Sequence, residues 1–170
     1  YVGPEKKQIL GIKKLICPYV FRFPGSPHLA ARLEHRNINV EKVIKAYRML
    51  SEKNGIVLVE GAGGLFSPIT GKNTAADICK MLDLPIILVV DNKLGAINQA
   101  LLNVEAIKAK KLKLIGMVFN QTKKNVNRII LKDNPEFVAR FSRVKILASL
   151  PYERNDIKLF KYAQDLAKTV

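Results

Sequence analysis

Tryptophan is absent, cysteine occurs twice, and 14 acidic residues face 29 lysines and arginines along the 170 positions. Cys17 and Cys79 make no disulfide framework and stand in no metal-ligand spacing. That excludes a disulfide-stapled scaffold and a zinc module. No apolar run approaches the roughly 20 residues that a membrane helix requires. The opening YVGPEKKQILGIKK lacks the apolar centre of a signal peptide. These absences predict a cytoplasmic protein with no membrane partner. Repeats, low-complexity tracts and linkers are also missing, so the expectation is a single domain over residues 1–170. The shortage of acid leaves a net charge of +15, which favours anionic ligands. The lysines are spread along the chain, not interleaved with aromatics, and no nucleic-acid-binding motif accompanies them. Nucleic acid is therefore not an expected partner.

What is present is an alternation of apolar runs and amphipathic stretches. Gly3-Pro4 reads as a turn, and Leu15 to Phe23 as a short strand or extended loop before Pro24-Gly25. Ser26 caps a helical turn that has Pro27 at its first position. Asn39 caps a helix carrying Val40, Val43, Ile44, Tyr47 and Leu50, which Asn54-Gly55 stop. Ile56 to Val59 have the composition of a strand buried on both faces, ending at Glu60. Thr74 with Asp77 forms a capping-box start to a short helix through Leu82. Pro85 to Val90 is a second apolar strand, ending at Asp91, followed by a helix from about Asn98 to Ala109. Leu114 to Phe119 is a third, ending at Asn120. Asn134-Pro135 begins a helix through about Phe141, Val144 to Leu150 is a fourth strand closed by Pro151, and Ile157 to Lys168 is a terminal helix. Such alternation predicts an α/β fold, a mostly parallel sheet with helices on both faces.

The stretch GIVLVEGAGGLFSPIT, from Gly55 to Thr70, carries the chemistry. A carboxylate at the carboxyl end of a buried strand stands at the rim where open α/β sheets bind ligands. Glycines beside it let backbone N–H groups approach an anion. EGAGG alone also fits a tight turn whose Glu60 faces solvent. The longer stretch VEGAGGLFSPIT resembles the central motif of the dethiobiotin synthetases, biotin-pathway enzymes of the P-loop NTPase superfamily. SPHLAAR (Ser26 to Arg32) and LPIILVVDNKLGAINQALLNVEAI (Leu84 to Ile107) lie on either side in the family's order. The resemblance runs from about Cys17 to about Pro151, and Lys93 to Asn98 is its most distinctive part.

The resemblance implies an ATP- and magnesium-dependent ligase that closes a cyclic urea from diaminopelargonic acid and carbon dioxide. A carbamate on one amine is phosphorylated to a mixed anhydride, and the second amine attacks it. Such chemistry asks for positioned phosphates, a metal to neutralise the moving phosphoryl group, and a pocket closed to water. By resemblance Glu60 holds magnesium. Glu60, Gly61, Ala62, Gly63, Asn120, Gln121, Pro151, Tyr152 and Glu153 bind ATP. Gly64, Gly95, Ala96, Ile97 and Asn98 bind the substrate, the last four reaching the partner's site in a homodimer. A helix beginning near Asn98 suits the substrate carboxylate through its free amides and dipole. Asp77 reads as a first-turn helix acid, Asp91 as a strand-end acid with no assigned role, and Pro68 as a shaper of the loop. His28 reads as a structural hydrogen-bonding residue and His35 as surface.

The sequence also departs from the family. No GxxxxGK[ST], the loop whose amides and lysine cradle phosphates, occurs in it. Gly3-Pro4 stands where the family has a Lys-Pro pair, so the expected catalytic lysine is absent. The family's second magnesium-binding aspartate has no counterpart. Lys158 meets the position of a further acidic contact, with Asp156 the nearest carboxylate. Three readings follow: an enzyme chain incomplete at its amino terminus, a catalytically impaired homologue, or a related partitioning-type P-loop ATPase. SPHLAAR and KLGAIN set the chain apart from the last.

Overall fold

The computed structural model describes residues 13–155, 158, 161, 162 and 164. Contacts divide the chain after Leu82 into two units. In the first unit, residues 13–16 are helical, so the strand or extended loop expected from Leu15 to Phe23 begins only after residue 16 and forms no strand. α1 follows at Pro27–Leu33, with Ser26 at its N-cap and Pro27 opening the helix. α2 spans Val40–Ser51, and the Asn39 side chain accepts from the Glu41 and Lys42 amides at 2.9 and 3.4 Å. α3 spans Ala75–Met81; the Thr74 amide and hydroxyl both donate to Asp77 Oδ2, at 2.8 and 2.7 Å. Ala30, Ala31, Ile44, Ala46, Ala76 and Ile78 are the buried apolar residues of this unit.

The expected strand before Glu60 is not formed. No ladder among the described residues includes Ile56 to Val59. Ile56 is 84% exposed, Leu58 88% and Val59 52%. Neighbouring strands and covering helices are what bury a parallel strand. The described part of this unit is helices and loops, with one isolated bridge between Pro68 and Thr74, and offers this run no strand to join.

The second unit is a parallel three-stranded sheet in the order β1-β2-β3, with β1 at Ile86–Asp91, β2 at Leu114–Asn120 and β3 at Ile146–Leu150. The crossovers are α4, Ala96–Ala109, and α5, Arg128–Ser142. Val90, Met117 and Phe119 form one core with Ala96, Ala100 and Val104 of α4 and Val138 of α5. Helix crossovers between parallel strands make this an α/β fold, as the sequence predicts. Three local expectations change. β1 lies at the edge of the described sheet, and Val89, on the face away from that core, is 62% exposed instead of buried. α4 starts at Ala96, two residues before Asn98.

The third change concerns α5, which begins at Arg128, where Asn127 accepts from the Ile129 amide at 2.8 Å, and Pro135 lies inside it. A proline in a helix has no N–H for the carbonyl four residues back. That carbonyl belongs to Leu131, and Asn92 Nδ2 donates to it at 3.0 Å. The lost donor is thus replaced from the loop after β1, and the helix continues. The expected terminal helix Ile157 to Lys168 lies mostly outside the described residues, as do Gly3, Pro4 and Asp156. Among the described residues no helix is long and apolar enough to cross a membrane.

Candidate functional site

In the first unit the glycine loop runs from Glu60 to the start of α3. Its later half is pinned. Ser67 N donates to Gly64 O at 2.9 Å, Ala76 N to Leu65 O at 2.9 Å, and Ala75 N to Ser67 O at 3.1 Å. Pro68 bridges to Thr74, and its carbonyl accepts from the His28 amide at 3.4 Å. Pro68 therefore shapes the loop, as expected. The earlier half, Glu60, Gly61, Ala62, Gly63 and Gly64, is exposed. Gly63 sits at φ +89°, and a Cβ there would lie 2.3 Å from Ser67 Oγ. At Gly64 an added Cβ meets nothing within 4 Å, so packing in the loop does not require that glycine.

His28 Nδ1 lies 3.0 Å from Ser26 Oγ, in keeping with a structural role, and His35 is exposed. Both histidines, with Arg32, Arg36 and Thr70, line an open cleft of about 610 Å³. Arg36 is already engaged by the Val20 carbonyl, by Glu34 at 3.5 Å and by the Phe21 ring.

In the second unit the sheet register brings Asp91, Asn120 and Leu150 into line at the carboxyl ends of the strands, the edge where such sheets bind ligands. Asp91 accepts from Thr122 Oγ1 at 2.6 Å and pairs with Lys93 Nζ at 2.6 Å. Those two partners hold its carboxyl below the usual carboxylate range, Lys93 contributing most. The strand-end position of Asp91 was visible in the sequence; its partners were not.

Gln121, expected at the base, spends its amide inside the protein. Its Nε2 donates to Lys123 O at 2.7 Å, and its Oε1 accepts from Tyr152 N at 3.3 Å. It thereby ties the turn after β2 to the residues after β3. Lys124, Tyr152, Glu153 and Arg154 line a cleft of about 280 Å³ there, and Pro151 is exposed beside them. Glu153 accepts from the Asn155 and Arg154 amides at 3.0 and 2.9 Å, which lower its pKa. Lys158, standing where an acid was expected, pairs with Glu153 at 3.5 Å.

The Gly95 to Asn98 segment forms the first turn of α4. Gly95 is its N-cap, at φ +90° with open space around an added Cβ. A left-handed backbone, not close packing, calls for this glycine. Ala96 is fully buried and its amide donates to Lys93 O at 3.0 Å, while Ile97 packs on the core, so Ala96 offers a ligand nothing. Asn98 is exposed. Lys93, Leu94 and Gly95 make the turn that carries this segment, and Asn134 of α5 donates to Lys93 O at 3.0 Å.

No group of three His, Cys, Asp or Glu able to hold a metal occurs among the described residues. A single exposed carboxylate, Glu60, is still compatible with magnesium, which keeps several waters and takes much of its coordination from phosphate. Burial raises the Cys79 pKa, which disfavours a thiolate there.

A parallel sheet with helix crossovers and polar residues at its strand ends defines the class of the second unit as an open α/β fold. The sequence model of a family described as an AAA domain matches residues 7–156, and the chain belongs to that family. Its relatives include the ATP-dependent dethiobiotin synthetase of Anaeromyxobacter sp. strain K, 38% identical over 138 residues, covering 81% of this chain and 61% of the relative. A second synthetase so named, from Haemophilus influenzae, is 42% identical over 104 residues, 61% of this chain and 54% of the relative. That of Thermodesulfovibrio yellowstonii is 35% identical over 145 residues, 81% of this chain and 60% of the relative. The chain thus spans about three fifths of the length of these relatives.

Proposed function

We propose that this chain carries the acid-glycine loop, the base end and the substrate-carboxylate segment of a dethiobiotin synthetase, acting on diaminopelargonic acid and carbon dioxide with ATP and magnesium. The observation that carries this reading is the 38% identity over 81% of the chain to a named synthetase. The exposed Glu60 at the head of its glycine loop agrees with it. Glu60 would hold magnesium, which supplies charge neutralisation at a phosphoryl group. Gly61, Ala62 and Gly63 would lie against the nucleotide, with Asn120, Gln121, Pro151, Tyr152 and Glu153 at its base end. Gln121 would act there by holding the Tyr152 backbone, because its own amide is engaged. Gly64 and the Gly95 to Asn98 segment, through the Ile97 and Asn98 amides, would receive the substrate, the latter across a homodimer.

A second reading, a catalytically impaired homologue, is favoured by Gly3 in the place of a lysine. Incubation with ATP, magnesium, labelled bicarbonate and diaminopelargonic acid, with acid-stable label read as dethiobiotin, separates the two. Turnover supports the enzyme. Calorimetric binding of diaminopelargonic acid without turnover assigns the impaired homologue, and neither binding nor turnover overturns both. Where turnover is found, Glu60→Gln is expected to lower it on the order of a hundredfold, because the metal's stabilisation of the phosphoryl group is worth several kcal/mol. Near-normal activity in that variant removes Glu60 from the site.

A further inference from the structure

Two polar side chains are buried among the described residues, and they touch each other: Asn92 and Asn134, each 4% exposed. Asn134 Nδ2 donates to Asn92 Oδ1 at 2.8 Å and to Lys93 O at 3.0 Å. Asn92 Nδ2 donates to Leu131 O at 3.0 Å, and its backbone N–H donates to Asn120 O at 2.8 Å. The two carbonyls accept only, so a single orientation of each amide satisfies the whole set. Pro135 completes the arrangement, since its missing N–H is what leaves the Leu131 carbonyl to Asn92. The network joins the middle of α5 to the turn that launches α4, and the same Lys93 carbonyl also accepts from the Ala96 amide at 3.0 Å.

We propose that Asn92, Asn134 and Pro135 are positioning residues that hold the Lys93 to Gly95 turn in the shape that presents the Ile97 and Asn98 amides of α4 to the substrate carboxylate. The inference rests on the substrate role proposed above for Gly95 to Asn98. An apolar core would close the gap between α4 and α5 without fixing this turn. Directional bonds to Lys93 O and Leu131 O set both its height and its rotation. Gly95, left-handed and with open space where a Cβ would lie, has no side chain to hold it and follows directly on the bonded residues before it.

The test is amide hydrogen exchange on the full chain, paired with calorimetric titration of diaminopelargonic acid. Asn134→Leu keeps similar volume and removes both donors. Exchange at the Ala96 and Gln99 amides, which donate to Lys93 O and Gly95 O, should quicken at least tenfold while Met117 to Phe119 in β2 stay protected. Affinity for diaminopelargonic acid should fall about tenfold or more, and affinity for ATP should not change. Exchange at Ala96 and Gln99 that follows β2 without preferential loss overturns the latch, whatever the titration shows. If the unaltered chain does not bind diaminopelargonic acid, the substrate reading fails while the exchange comparison still decides the latch. Should Asn134→Leu not fold, Asn134→Ser gives the same comparison, because its short hydroxyl does not span to both acceptors.

Discussion

Gly63 shows how one missing methyl group shapes the loop. Its backbone is left-handed, and an added Cβ would overlap Ser67 Oγ. Gly63→Ala is expected to cost about 2 kcal/mol, combining backbone strain with a clash, read as a lower urea midpoint. Ser67→Ala in the same chain should recover only the steric part, since φ is untouched. The coupling measured in the double-mutant cycle then separates the two terms. Asp91 makes a different kind of prediction. Lys93 and Thr122 depress its folded pKa, so its stabilising contribution is present above the unfolded carboxyl pKa of about 4 and is lost as pH falls through the lower folded value. Asp91→Asn should therefore weaken the protein at neutral pH and flatten the acid limb of its stability profile. An unchanged acid limb would mean that the Lys93 contact contributes nothing in solution.

Among the elements, β2 and β3 lie close enough that their side chains interlock. A Cβ added at Gly116 would come within 2.7 Å of Leu147 Cγ and 2.8 Å of Lys145 O. Gly116→Ala should cost on the order of 2–3 kcal/mol by overpacking, seen as a lower urea midpoint at unchanged slope. α2, β1 and β2 were legible in the sequence because their signals are local: Asn39 before a 3.6-residue apolar period, and apolar runs of strand length. α5 was misplaced because Pro135 is a local stop signal, and the donor that cancels it, Asn92, comes from another element. The expected burial of Ile56 to Val59 failed for a related reason, since burial is given by neighbours and composition records only the demand for it. At the candidate site, the motif marked the acid-glycine loop, but the strand expected to end at Glu60 is not formed, and the left-handed backbone of Gly63 was not expected. Nor was the engagement of Gln121 by Tyr152 and Lys123, because both contacts depend on how separate loops meet.

Across the whole molecule, protection should be graded. Met117, Val118 and Phe119 are buried in the middle of the sheet, whereas no hydrogen bond among the described residues engages the Ile56 to Ala62 amides. Exchange should be slowest in β2 and near the unprotected rate in that stretch; comparable protection in both would contradict the fold described. The same exposed run has a consequence for solubility. Ile56, Val57, Leu58 and Val59 are four apolar residues with no charge and no proline among them, a composition prone to stack edge to edge between copies. Opposing this is a net charge of +15, which makes each copy repel the next. Salt at 0.1 M shortens the reach of that repulsion to about 10 Å, so turbidity should grow with added sodium chloride. Leu58→Lys, a gatekeeper charge within the run, should keep the solution clear at the same ionic strength.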